Sequence, residues 1–184
     1  TRYAVPHLVR QVEAFLDELG VWKCDLVGHA LGGLVGLGFA LRFPARVTRL
    51  VTVSMPFTAE AINARGLNGS PSAALDRLVR RRTPDHDIVR AEADLADAQA
   101  VAQTIASLRS LDLRRQKVPA NWLAVHGDKD DLIAPPSVDA AEQEQRGFRL
   151  LLFEQVRHFP MLEERNKFDR LLRDFLSGED LKSL

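Results

Sequence analysis

Apolar and polar positions follow two rhythms along this chain, one helical and one strand-like. Val5, Leu8, Val12, Phe15, Leu16 and Leu19 recur at helical spacing, with Arg10, Gln11, Glu13, Asp17 and Glu18 between them. This predicts an amphipathic helix that stops at Gly20. Residues 22–27, from Trp22 to Val27, read as a short apolar strand. A small-residue helix from Leu31 to about Phe43 follows, ended by Pro44. Gly36, Gly38 and Ala40 lie inside it, and the expected reason for the glycines is close packing on a sheet. Val47, Thr48, Leu50, Val51, Thr52 and Val53 form a β-branched run between Pro44 and Pro56, the pattern of a buried strand.

From Met55 to about Lys117 the pattern changes. Gly66, Asn68, Gly69, Ser70 and Pro71 read as loop, and helical patterns follow at 73–79 and 88–95. The clearest is Val101, Ala102, Ile105, Leu108 and Leu111. An all-helical insertion is expected, closed by Pro119. Residues 122–126 form the next strand, leading into a turn at 127–131. Pro135 and Pro136 open a helix expected at 138–145 and stopped by Gly147. Residues 148–153 are the last strand, and 154–160 a loop. Phe168, Leu171, Leu172, Phe175 and Leu176 mark a final amphipathic helix. Strands that alternate with helices predict an α/β fold with a parallel sheet. Its core would be residues 1–55 and 118–184, with 56–117 inserted.

A length of 184 residues fits one domain with a real core. The 25 Lys and Arg balance the 25 Asp and Glu, which gives no electrostatic reason to expect nucleic acid or an anionic membrane. The single cysteine, Cys24, rules out an internal disulfide and is expected to be a buried, inert thiol. The longest uncharged run, 26–41, is shorter than the ~20 apolar residues of a membrane span, and no signal peptide is visible. The expectation is a soluble, cytoplasmic protein. The first residue is Thr1, and the chain opens directly in a helical pattern, which predicts a segment of a larger protein. No paired ligand spacing suggests a metal, and no glycine-rich phosphate loop follows a strand. No cofactor is therefore expected.

Three candidate chemical groups fall just past the ends of three predicted strands. The first is Gly28-His29-Ala30-Leu31-Gly32-Gly33, a strand–turn–helix with glycines two before and two after Ala30. Next comes the turn Gly127-Asp128-Lys129-Asp130-Asp131, and then the loop carrying His158. Ligands in open α/β sheets bind at the carboxyl ends of strands. The order of nucleophile position, acid and histidine is that of the α/β-hydrolase triad.

These motifs resemble those of the α/β-hydrolase superfamily. Gly28 to Gly33 resembles the GHSxGG nucleophile elbow, with Ala30 in the place of the serine. The 127–130 turn looks like the GxxD acid turn, which selects Asp130 over Asp128 and Asp131. His158 to Glu163 is similar to the histidine loop G-H-x-x-x-x-E, with Arg157 for the glycine. Residues 28–48 also resemble the aminoacrylate (carbamate) hydrolase branch, some members of which carry GHALG at the elbow. The resemblance implies an oxyanion-hole donor at the backbone N–H of Leu31, with 56–117 acting as a helical cap over a small-molecule substrate. It also implies strands before the elbow strand. Without them residues 22–27 would be an exposed apolar edge, so the chain is expected to need those strands from the same protein or another chain.

A methyl group cannot attack a carbonyl, so serine-type covalent catalysis is excluded at Ala30. Several readings remain: an inactivated hydrolase, a hydrolase in which His158 held by Asp130 activates water, a non-catalytic binding module, and a cofactor-free lyase or proton-transfer enzyme. The retention of Asp130 and His158 favours the enzyme readings. His126 is expected to pack at a strand end, His29 to support the turn, and His7 and His86 to carry no chemistry. Asp128 and Asp131 are expected to be solvated, as is the Arg80-Arg81-Arg82 triplet at a helix end. Phe57, Ile62, Leu67, Leu75, Leu78 and Val79 would suit an apolar substrate or equally the insertion's own core.

Overall fold

A computed structural model describes residues 3–80, 83, 85–117 and 121–178 of the chain. The first amphipathic pattern forms α1 (Val5–Glu18), and Gly20 turns the chain at φ 66°. The β1 strand (Cys24–His29) starts and ends two residues later than the sequence pattern suggests. Trp22 is left outside the strand and 71% exposed. Helix α2 (Leu31–Arg42) packs against α1, β1 and β2 (Val47–Val53). Gly36 and Gly38 do lie at close contacts: a Cβ at 36 would stand 3.1 Å from Leu50, and one at 38 would stand 2.9 Å from Val9 of α1.

Between β2 and β3 (Asn121–Gly127) lie α3 (Pro71–Leu78), α4 (His86–Ala93), α5 (Ala98–Ser107) and two short 3-10 turns. The segment is not purely helical, because single antiparallel bridges join Thr58 to Asp112 and Ile62 to Ile133. Pro119 lies outside the described residues. Helix α6 (Ala140–Arg146) begins later than the proline pair suggests. Asp139 caps it, its side chain accepting the Glu142 N–H, and Gly147 ends it in the left-handed conformation. Strand β4 (Phe148–Phe153), the one-turn α7 (Pro160–Glu163) and α8 (Arg165–Ser177) complete the chain.

The sheet is four-stranded and parallel throughout, in the order β1-β2-β3-β4. Apolar side chains on its two faces build separate cores. One lies under α1 and α2 and includes Phe39, Leu50, Trp122 and Phe148. The other lies under α8 and joins Val51, Val53, Leu123 and Val125 to Phe168, Leu171 and Phe175. Phe57 stacks on Trp122 with centroids 5.5 Å apart, and the Trp122 Nε1–H donates to Thr52 Oγ1 at 2.9 Å. Both Phe57 and Val79 are therefore core residues.

Strand β1 is the outer strand, as its apolar character and the expected edge suggest. Val27 is 48% exposed, and Phe15, Leu19 and Trp22 are exposed as well. Leu8, Val12 and Phe15 of α1 and Leu26, Val27 and Leu31 line a groove along this edge. An exposed apolar edge is a template for pairing with another strand, and a lysine there opposes it. Val27→Lys is expected to reduce concentration-dependent association, measured by light scattering, while leaving the melting temperature within a few degrees of the parent's.

Candidate functional site

The elbow is built by backbone geometry. Ala30 sits at φ 48° and ψ −112°, a region that L residues rarely occupy, between the end of β1 and the first residue of α2. Its N–H donates to Val53 O at 2.8 Å, and its carbonyl accepts the Gly33 N–H at 3.1 Å. Gly28 is obligatory, since a Cβ there would stand 2.3 Å from the Gly32 carbonyl oxygen. Gly32 is different. A Cβ at 32 would meet nothing within 4 Å, so no described group demands the second glycine of the motif. Gly33 holds the close approach instead, since a Cβ there would stand 3.0 Å from Met55 Cβ. Leu31 opens α2, where the first backbone N–H groups have no intrahelical acceptor.

Asp130 and His158 come together directly. His158 Nδ1 lies 2.8 Å from Asp130 Oδ2, and both side chains are buried. The other carboxylate oxygen, Oδ1, accepts the N–H groups of Leu132 at 3.0 Å and Ile133 at 2.9 Å. Burial alone would raise the Asp130 carboxyl. The hydrogen bond and charge of His158, with the two backbone N–H groups, outweigh it and hold the carboxyl below its usual range. The carboxylate accepts a hydrogen bond from Nδ1–H, an arrangement in which Nε2 is the ring nitrogen that can take up a proton.

His29 does more than support the turn. Its Nε2 lies 2.9 Å from the His158 carbonyl oxygen, and the two rings stand 4.6 Å apart. A carbonyl only accepts, so His29 carries its proton on Nε2. This contact ties the elbow to the histidine loop and places Ala30, the next residue, beside that loop. Gly127 closes the other side: a Cβ there would stand 2.2 Å from the carbonyl oxygens of Val156 and Arg157.

Three residues support the histidine loop in roles that the sequence does not assign them, although Glu163 closes the loop's motif. Leu78, at the end of α3, accepts the His158 N–H on its carbonyl at 3.1 Å. Glu163 accepts the Arg157 N–H at 3.2 Å, and its place five residues after the histidine was the available signal. Arg80, expected to be solvated, pairs with Glu163. Arg81 and Arg82 lie outside the described residues.

The remaining candidates stand apart from the pair or beneath it. Asp131 is exposed, and Asp128 is half-buried next to Lys129. His126 is fully buried at the end of β3. Cys24 is half-buried, not buried outright, and burial raises its thiol pKa. Among the described residues no cluster of His, Cys, Asp and Glu could hold a metal, and no helix is long and apolar enough to cross a membrane. An apolar cavity of about 370 Å³ lies between α3, α5 and the 64–69 turn, lined by Leu67, Leu75, Leu78, Val101 and Ile105 among others. None of Ala30, Asp130 and His158 lines it.

Residues 1–101 match the alpha/beta hydrolase fold family. The chain is 30% identical over 202 residues to a putative carbamate hydrolase RutD from Pseudomonas savastanoi pv. phaseolicola, covering 96% of this chain and 76% of that protein. The chain belongs to the alpha/beta hydrolase fold family. A 2-hydroxymuconate semialdehyde hydrolase of Pseudomonas putida is 28% identical over 202 residues, covering 97% of this chain and 71% of that protein. The crystal structure of a hydrolase from Pseudomonas aeruginosa PA01 superposes with a TM-score of 0.76 at 25% identity, covering 95% of this chain and 72% of that one. The family, the parallel α/β architecture and the likeness to the carbamate hydrolase branch agree with the motifs in the sequence.

Burial makes acid sensitivity a property of this site. The pKa of His29 is lowered to about 4 by burial and then by the charge of His158. That of His126 is lowered to about 4 by burial, with Asp130 opposing. Both would titrate near 6.5 in the unfolded chain. Between those values the unfolded chain binds more protons, so stability is full above pH ~6.5 and is lost as pH falls towards 4. Asp130, whose carboxyl is also held below its usual range, acts in the same sense, but only once the pH falls below its unfolded value of about 3.9. Denaturant midpoints measured from pH 7 to 4 are expected to fall, and His126→Leu to flatten the fall by about one proton's worth.

Proposed function

We propose that this chain hydrolyses an ester, amide or related bond of a small molecule, with water as the nucleophile. The observation that supports this is the buried 2.8 Å His158–Asp130 hydrogen bond, kept next to an elbow whose central residue has no nucleophilic atom. Water at the Ala30 position loses its proton to His158 Nε2 and adds to the carbonyl carbon. The imidazolium that forms is stabilised by Asp130 and then gives its proton to the leaving group. The backbone N–H of Leu31 faces the oxyanion that develops. No covalent acyl-enzyme forms. Residues 56–117 act as the cap over the site, and the exposed edge of β1 takes up a further strand from the same protein or another chain.

A second reading rests on Ala30 itself. With no hydroxyl at the elbow, the fold would bind a ligand without turning it over, and the pair would be retained machinery. Hydrolysis of p-nitrophenyl acetate separates the two. Activity in the alanine protein that falls by about 10²-fold or more in His158→Ala supports water activation, since a positioned general base contributes that much. Ala30→Ser should then add a burst of one nitrophenolate per site, as an acyl-enzyme forms. Activity confined to the serine form would instead support the binding reading.

A further inference from the structure

The histidine loop is held from one side by the sheet and from the other by the inserted helical segment. Residues 77–80 make polar contacts of this second set. Leu78 O accepts the His158 N–H at 3.1 Å, and Arg157 Nη1 donates to Arg77 O at 3.2 Å. Arg80 Nε reaches Glu163 Oε2 at 2.5 Å, and its Nη2 reaches Glu164 Oε1 at 3.3 Å. Glu163 Oε1 in turn accepts the N–H of Arg157, the residue directly before His158.

The two carboxylates are not equivalent. Glu164 is 44% exposed, and an ion pair there contributes little. The Glu163 side chain is fully buried. Leaving a buried carboxylate without its cation is strongly unfavourable, because nothing replaces the lost hydration. Arg80 is the cation that compensates it. Without Arg80, the carboxylate would turn towards water and release the Arg157 N–H, and the backbone that carries His158 would lose one of its fixed points.

We propose that Arg80 and Glu163 are positioning residues that hold the His158 imidazole against Asp130 through the backbone of Arg157. Neither touches the reacting atoms. The inserted segment thereby helps set the geometry of the proposed base, and its displacement would loosen the His158–Asp130 bond. The consequence for catalysis rests on the hydrolytic reading above, whereas the structural link can be read without any turnover.

The test is the exchange rate of the His158 Nδ1 proton with water, measured by NMR on the whole chain against the backbone amides of β3 as internal reference. Arg80→Ala and the bulkier Arg80→Gln should each raise that rate about tenfold or more relative to the β3 amides. Arg80→Lys, which keeps a positive charge beside Glu163, should stay close to the parent. Arg114→Ala, which removes the exposed pair with Asp112, should change nothing. The proposal is overturned if the Nδ1 proton exchanges at the parental rate in both neutral variants. It is equally overturned if that rate rises only in step with the β3 amides, since that is general loosening, or if Arg80→Lys behaves like Arg80→Ala. Faster Nδ1 exchange in both neutral variants and not in Arg80→Lys, with no hydrolysis by any form, would sink the hydrolytic reading and leave the link standing.

Discussion

A hydrogen bond between His158 and Asp130, shut away from water, sets the terms for everything around it. Two ionisable groups in a buried place persist only when the charge they carry is paired and hydrogen-bonded. The surrounding elements supply those partners one by one. The turn after β3 gives Asp130 two backbone N–H groups. The end of α3 gives His158 an acceptor for its backbone N–H, and β1 brings His29 to its carbonyl. The parallel sheet makes this possible by ending β1, β2 and β3 side by side, so residues more than a hundred positions apart in the chain become neighbours.

Much of this was legible in the residues. The β2 run of branched side chains and the β4 run at Phe148–Phe153 have the boundaries that their patterns suggest, because β2 is mostly buried and lies between Pro44 and Pro56, and Gly147 turns the chain directly into β4. The glycine at 28 announces a turn that no larger residue could make. Less clear were the limits of β1. Trp22 is apolar yet exposed, and hydrophobicity alone cannot say which apolar residue lies at an open edge. Helix α6 was misplaced because two prolines suggest a helix start, while Asp139 provides the cap that the structure uses. The bridges that Thr58 and Ile62 of the inserted segment make to Asp112 and Ile133 join residues too far apart for any local pattern to register.

At the site, residue type disclosed Asp130 and His158, whereas the supports acting through backbone atoms stayed hidden. Leu78 contributes a carbonyl, and any residue has one. Arg80 sits in a run of arginines that reads as solvated surface, and only the buried Glu163 opposite gives it a role. His29 was assigned to the turn because its neighbours in sequence form the turn, yet its ring reaches the other loop. Local sequence reports local geometry well. It is nearly silent about which distant backbone a side chain will meet.

The two tryptophans of the chain report on opposite ends of this architecture. Trp122 is sealed between Phe57 and Phe148, with its indole N–H on Thr52, and Trp22 stands in water at the margin of β1. Their emission should therefore separate by colour, short-wavelength from the sealed indole and long-wavelength from the wet one. Covering the sheet edge would dim or blue-shift only the second component. Loss of the core would red-shift the first. The molecule thus carries two intrinsic optical gauges, one for the integrity of its interior and one for what lies against its open side.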